Sequence, residues 1–452
     1  MSFGFAAAAA LAMVVAILAM AFELYRTQAR RFDTFTIFLV IFYLQCLAPA
    51  IVILSCLAFF CEEKLTLGNV FFDRVYEAVN AEHAMLVAGF MAVFLVFTFL
   101  IYRVLVAESV SHPIYRLKID APALRLVAIL GLLSGAALLL MLGGSLGEGY
   151  RALVRFRNSD AEIARSFVTA NLFSLTQTFL LVGFLGLFIA RHWKLISPRF
   201  FSWAAVVAIF AVLCVSRRSL LIPALLFGFT LLLAGRLPKW SHVVVLGLIG
   251  LGVLYGGKPV LSYLAGDTRA VALPTRAPVE NALYVASDLG ITVTESLGTV
   301  ALLDLPPRWG VDHLWSLLRR VPEGAFGFED PFPERIVRQS TAVFMGPDDQ
   351  DIPPGFMGMM WLDFRWVGPL IYAAFFGVGL ALIERVRRRC EIDLQSSAVF
   401  ALALFVFCLP INTGSLDFTF SVDMIMLTLF VLFVLRVERV ENQPAGGGTA
   451  SS

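Results

Sequence analysis

The chain has 452 residues, 59% of them hydrophobic and only 15% charged, with 41 phenylalanines and a net charge of +2. That balance excludes a soluble globule; the net charge by itself says nothing about nucleic acid, and no nucleic-acid partner is expected. Six cysteines (Cys46, Cys56, Cys61, Cys214, Cys390 and Cys408) fall mostly inside apolar runs without CxxC spacing, so neither a disulfide framework nor a cysteine metal site is expected.

Apolar runs of about 20 residues recur, the length a helix needs to cross a hydrocarbon layer about 30 Å thick. They lack the period-two alternation of barrel strands, so the spans are predicted to be helical. In chain order about eleven are expected, at 3–24, 34–60, 84–102, 124–143, 167–190, 200–215, 219–235, 241–256, 366–384, 397–411 and 418–436. Basic residues (Arg26, Arg30, Arg31) follow the first run and none precedes it, which reads as a membrane helix with its N-terminus outside, not as a signal peptide.

The connections alternate in charge. One set carries Arg103, Arg116, Lys118 and Arg125, then Arg191, Lys194 and Arg199, then Arg236 and Lys239, the Arg385–Arg389 run, and Arg436 and Arg439. The positive-inside rule assigns this set to the cytoplasm and the other connections to the outer face. The expected division is therefore helices over 1–256, an outer loop domain with short helices over 257–363, C-terminal helices over 364–438 and a flexible tail over 439–452.

The long polar interruption from Gly256 to Phe364 stands apart from the rest, because a loop of that length is usually functional. Within it, Val279 to Leu303 is predicted as one helix with Asn281, Asp288, Thr292, Glu295 and Thr299 on a single stripe. Helical rise puts Asp288 and Glu295 about 10 Å apart on that stripe, as candidate general bases or as the wet side of a helix. Pro306-Pro307 ends this helix, Val311 to Arg320 forms a second lying in the interface, and Pro322 to Pro354 reads as loop. His313 is the lone histidine of the loop and is set aside, since lone histidines are mostly structural. Asp349-Gln350-Asp351 has the form of a metal-holding DxD but lies in a Pro/Asp loop, so no metal or cofactor is expected.

Arginines are the other candidates. Arg217 and Arg218 lie between two apolar runs with almost no loop, where a guanidinium either snorkels to headgroups or meets an anion with its bidentate fork. Arg151, Arg155 and Arg157 follow a glycine-rich turn and form a second outward cluster, or simply a solvated helix start. Arg276 and Arg308 in the loop, with Arg269, Arg335 and Arg338, are within reach of an anion as a group, while each taken singly reads as a surface residue.

At Ile352-Pro-Pro-Gly-Phe-Met-Gly-Met-Met-Trp-Leu-Asp363-Phe364-Arg365-Trp-Val-Gly368 the chain resembles the oligosaccharide repeat-unit polymerases, the O-antigen polymerase or Wzy-type family. Gly310 to Pro322 resembles an upstream segment of that family, and Ser216-Arg217-Arg218-Ser219-Leu220-Leu221 is similar to a Ser-Arg motif shared with O-antigen ligases. The resemblance covers about 216–380. Arg365 stands where the family often has glycine, and no histidine stands where the related ligases carry one. The resemblance implies an all-α polytopic membrane protein, GT-C-like, with a large periplasmic loop in the bacterial inner membrane. It implies a metal-independent glycosyltransferase that takes lipid-linked oligosaccharide (undecaprenyl diphosphate) as donor and acceptor and has a chain-length regulator protein as a further partner.

In that picture Arg217 and Arg218, with Asp288 and Glu295, are the catalytic candidates, while Arg151, Arg155, Arg157, Arg276, Arg308 and Asp363 hold diphosphate or glycan. A secondary transporter of lipid-linked or anionic substrates remains open, although no duplicated half is visible. So do an O-acetyltransferase, which would want a mid-helix histidine, and a receptor or scaffold.

Overall fold

The computed structural model describes residues 3–28, 32–60, 67, 69–107, 114–157, 167–189, 197–236, 278–313, 336–345, 352–414 and 422–439. Among them the chain is mostly helical. Five stretches are long and apolar enough to cross a bilayer: Phe3–Glu23, Thr34–Phe59, Ala81–Val106, Ala121–Gly143 and Phe356–Arg388. Shorter apolar helices, such as Pro198–Leu213 and Leu394–Phe407, pack with them. This is the architecture of a helical membrane protein. The predicted run 241–256 lies outside the described residues, as does most of the predicted second loop helix, of which 311–313 are helical.

In order, the helices are α1 (Phe3–Gln28), α2 (Thr34–Phe42), α3 (Ala48–Phe60), α4 (Val70–Ala78), α5 (Ala81–Ala107), α6 (Ala121–Gly143), α7 (Leu146–Arg157), α8 (Phe167–Phe184), α9 (Pro198–Leu213) and α10 (Arg217–Leu233). After them come α11 (Pro278–Leu289), α12 (Ile291–Leu302), α13 (Ile336–Met345), α14 (Phe356–Phe364), α15 (Gly368–Arg388), α16 (Leu394–Phe407), α17 (Leu409–Thr413) and α18 (Val422–Val434). Several starts are written locally. Asp33, Asn69, Asp120, Ser197 and Asp393 each accept a hydrogen bond from a first-turn amide that would otherwise lack a partner.

Small residues let the helices approach closely, as expected where lipid supplies no hydrophobic drive between them. Alanines 8, 9, 12 and 16 bury one face of α1, which packs on α3 and α5, and Gly377 seats α15 against Ile101 of α5. Outward faces carry Leu18, Val96, Leu100, Ile129 and Leu133. Such surfaces would drive aggregation in water but are at home against acyl chains.

α2 and α3 form one span through a π turn at Tyr43–Leu47, just ahead of Pro49, where the ring would otherwise disturb the helical ladder. Gly290 packs on that proline, and a Cβ there would overlap the ring. The predicted single helix from Val279 to Leu303 is therefore two helices, α11 and α12, broken at Gly290. The predicted loop from Pro322 to Pro354 likewise contains a helix, α13.

A second departure lies at the other end of the molecule. The run predicted to stay helical to 436 ends at Val434 and becomes a strand. Strand β1 (Tyr115–Ile119) pairs antiparallel with β2 (Leu435–Arg439), Tyr115 opposite Arg439, and Tyr115 also bridges to Cys390. This ribbon gathers Arg116, Lys118, Arg436, Arg439 and the end of the Arg385–Arg389 run at one end of the bundle. Lys118 pairs with Glu438 (2.5 Å), Arg116 with Glu391 and Arg436 with Asp120.

Candidate functional site

The chain enters the bundle at Pro353-Pro354-Gly355, and α12 grips it there. The first amides of α14 need acceptors from outside their own helix. Phe356 N–H donates to Thr292 Oγ1 (2.8 Å), Met357 N–H donates to Ser296 Oγ (3.1 Å), and the Thr299 hydroxyl donates to the Pro354 carbonyl (2.8 Å). Gly355 has a φ of 73°, and a Cβ on it would overlap the Thr292 carbonyl, so only glycine fits the turn. The polar stripe is thus a capping platform. Thr292, Glu295, Ser296 and Thr299 are all buried, and α12 packs against α4, α5 and α14. Asp288 is half-buried on α11, beyond the break. The two carboxylates do not share a water-facing helix.

The far end of α14 is closed by chain arriving from α12. Arg308 N–H donates to the Leu362 carbonyl and Trp309 N–H to the Asp363 carbonyl, both at 2.9 Å. Trp309 (φ 55°) and Gly310 (φ 71°) then turn the chain left-handed, and the Trp309 ring meets Phe364. This turn delivers Asp312 and His313 onto α14. Beyond Asp363, Arg365 adopts φ 52°, and Gly368 starts α15 against the Met360 carbonyl, where a Cβ would collide. That tight hairpin sets Tyr372 beside Asp363.

Three side chains converge as a result. Asp363 is fully buried, and its Oδ2 accepts from the Tyr372 hydroxyl (2.6 Å) and stands 2.9 Å from His313 Nε2. His313 Nε2 is also 2.7 Å from the Tyr372 hydroxyl. With the Tyr372 hydroxyl donating to Asp363 Oδ2, both oxygens facing Nε2 are left as acceptors, which favours the Nε2–H tautomer of His313 and leaves Nδ1 as a proton acceptor. His313 Nδ1 and Asp363 Oδ1 are both buried and have no hydrogen-bond partner among the described residues. His313 and Tyr372 line a pocket of about 130 Å³ closed by Phe364, Ile371, Phe375 and Phe376. One turn of chain away, Arg308 is buried and grips Asp312 through Nε and Nη2, while its Nη1 donates to Gln339 Oε1 (3.1 Å). Read singly as a surface residue, Arg308 is instead a buried bidentate anchor. No family model, curated protein or solved structure matches this chain. The chemistry has to be read from these side chains.

Arg217 and Arg218 open α10, and their side chains lie outside the described residues. Their end of the bundle is nonetheless fixed. Gly131 and Gly135 of α6 abut Phe210 and Leu213 of α9, so α9 runs beside α6 away from the ribbon. α15 runs the opposite way, from the Asp363 site to the ribbon. The Ser216–Ser219 turn and Asp363 therefore share the end opposite the ribbon. Val215, Trp309 and Arg365 are the non-glycine residues with positive φ among the described residues, and each stands within two positions of Arg217, Arg308 or Asp363. Such conformations cost about 1–3 kcal/mol each and collect where function over-determines the backbone.

The remaining candidates do not join this site as described. Arg151 is exposed and paired with Glu148 one turn earlier (2.8 Å), and Arg155 is exposed. The side chain of Arg157 lies outside the described residues, as do Arg276 and the Asp349–Asp351 pair. Sequence reasoning set His313 aside and passed over Tyr372. A signal existed for the second: Tyr372 is the lone hydroxyl between Gly368 and Glu384 in an otherwise apolar helix, the kind of residue that needs a partner in a membrane.

Proposed function

We propose that the chain is a membrane glycosyltransferase that joins lipid-linked oligosaccharide repeats into a polysaccharide, the activity of the polymerase family that residues 216–380 resemble. The observation that carries this reading is the His313–Asp363–Tyr372 cluster, in which a histidine with a carboxylate behind it keeps a free acceptor nitrogen. A sugar hydroxyl is a poor nucleophile until a positioned base takes its proton, and such a base contributes about 10²–10⁴ in rate. In this reading His313 Nδ1 removes the proton, Asp363 holds the tautomer and the resulting positive charge, and Tyr372 fixes Asp363. The acceptor oxygen forms the new glycosidic bond as the bond from the anomeric carbon to the donor phosphate breaks, and the diphosphate leaves with the electron pair. Arg217 and Arg218, at the same end of the bundle, neutralise that leaving group, as preorganised donors do best.

The finer picture belongs to the same proposal: eleven spans in a GT-C-like arrangement, a bacterial inner membrane, the 257–363 loop in the periplasm, and a chain-length regulator beside it. Deletion of the gene followed by glycan gels tests the reading. Loss of polymer with single repeats still displayed supports it, and loss of every repeat species points instead to a carrier of lipid-linked substrate. With purified protein in proteoliposomes, polymer formed from lipid-linked repeats is the expected result. Movement of the repeats across the bilayer without polymer would overturn it.

A further inference from the structure

A second cavity lies in the ribbon-side half of the bundle, away from the His313 site. It has a volume of about 480 Å³ and runs between α6, the 3-10 turn Leu185–Phe188 that ends α8, and α9. Its walls are mostly apolar, but Arg125 and Arg199 both line it. Both arginines are exposed, and neither has an ion-pair or hydrogen-bond partner among the described residues. This differs from the ribbon next door, where Arg116, Lys118 and Arg436 are each tied to a carboxylate.

Polarity is ordered along the groove. Asp120, held by Arg436 of the ribbon, caps α6, and Arg125 follows one turn later. Ser197 caps α9, and Arg199 stands in its first turn. Beyond them the lining becomes Ala128, Leu132, Trp203 and Val206. Gly186 makes room for Trp203, since a Cβ there would overlap the indole. From Ala121 to Leu132 the groove spans eleven helical steps of about 1.5 Å, or about 16 Å, which is the depth of one leaflet of a ~30 Å hydrocarbon core.

We propose that this groove is a binding site for a phosphate-bearing anionic lipid of the surrounding bilayer. The phosphate lies between Arg125 and Arg199, and one acyl chain lies along the groove toward Leu132 and Val206. Guanidinium forks match phosphate oxygens, and basic pockets between membrane helices at the positively charged end select anionic headgroups. A neutral lipid would fill the apolar trough as well but leave both arginines without an anion. The site is separate from the His313 cluster and does not depend on the proposed reaction.

The test uses the purified full-length protein in detergent, probed with phosphatidylglycerol, phosphatidylcholine of the same acyl chains, and inorganic phosphate alone. Native mass spectrometry reads bound lipid, and thermal unfolding reads stabilisation. Phosphatidylglycerol is expected to bind and raise Tm, while the other two probes leave Tm unchanged. In an Arg125→Gln/Arg199→Gln double variant the bound fraction should fall at least tenfold, with the Tm of the lipid-free protein unaltered because both side chains are exposed. Ala128→Phe should also weaken lipid binding, by filling the trough while keeping both charges. Wild-type binding by the double variant would overturn the proposal. So would equal binding of phosphatidylcholine, or an equal Tm rise with inorganic phosphate alone.

Discussion

α15 passes a buried carboxylate cluster at each of its ends, and the two are satisfied in opposite ways. At the ribbon end Glu384 is fully buried and every acceptor position is used. Its Oε1 receives Arg387 Nη2 (2.8 Å) and Arg388 Nε (3.0 Å), and its Oε2 receives Arg387 Nε (2.9 Å) and the Thr34 amide (3.2 Å). Arg385 and Arg388 then donate to the Leu105 and Val106 carbonyls at the end of α5. At the other end Asp363 is just as buried, yet Oδ1 accepts nothing among the described residues and His313 Nδ1 is likewise unmatched. A buried carboxylate without full pairing is costly, so its retention argues for chemistry, whereas a saturated one argues for architecture.

Breaking each cluster should expose that difference. His313→Ala is expected to lower polymer formation by about 10²–10⁴, with a stability loss of about 1.5–3 kcal/mol because it also strips a donor from buried Asp363, too small by itself to account for the lost activity of the folded protein. Activity within tenfold of wild type would remove His313 from the role of base. Glu384→Ala should do the reverse. It strands Arg387 and Arg388 and is expected to cost about 3–5 kcal/mol of stability, read as lower Tm and poorer recovery of monodisperse protein, with activity per folded molecule retained.

Tyr372→Phe sharpens the comparison by removing one donor to a carboxylate. A loss of about 1.5–3 kcal/mol is expected for such a bond, divided between stability and rate. A rate indifferent to this substitution at every pH would reduce the tyrosine to a packing residue.

The smallest effect lies on the ribbon. The hydrogen bond and charge of Arg116 hold the Glu391 carboxyl below its usual value. A depressed folded value contributes stability above the ordinary carboxylate range, and that contribution is lost as pH falls through the folded value. Both side chains are more than a third exposed, so solvent screening limits it to about 1 kcal/mol or less. Glu391→Gln should therefore lower Tm slightly at neutral pH, converge with wild type at acid pH below the folded value, and so flatten the acid side of the Tm profile.

The residue at 365 shows how local preference and tertiary demand meet. Its backbone adopts a positive φ that glycine accepts without strain. Here an arginine bears the strain, and its guanidinium stacks 4.7 Å over Trp361 and donates to the Leu305 carbonyl, contacts that offset the cost.

What the sequence by itself determined is whatever depends on neighbours along the chain. Apolar runs of bilayer length make helices because their amides have no water to bond, and Asp33, Asp120, Ser197 and Asp393 start helices because their side chains reach the next turn. Only the tertiary structure decided what depends on residues far apart. The predicted 279–303 helix breaks at Gly290 where it packs on Pro49, Tyr115 to Ile119 finds its strand partner more than 300 residues later, and His313 meets Asp363 across 50 residues. A histidine read alone cannot be told from a structural one, because its role is set by the carboxylate and hydroxyl that other elements bring to it. Periodicity carries no information about such a meeting, since it is fixed by the left-handed turn at Trp309-Gly310 and the tight α14–α15 hairpin, each shaped by the backbone it packs against.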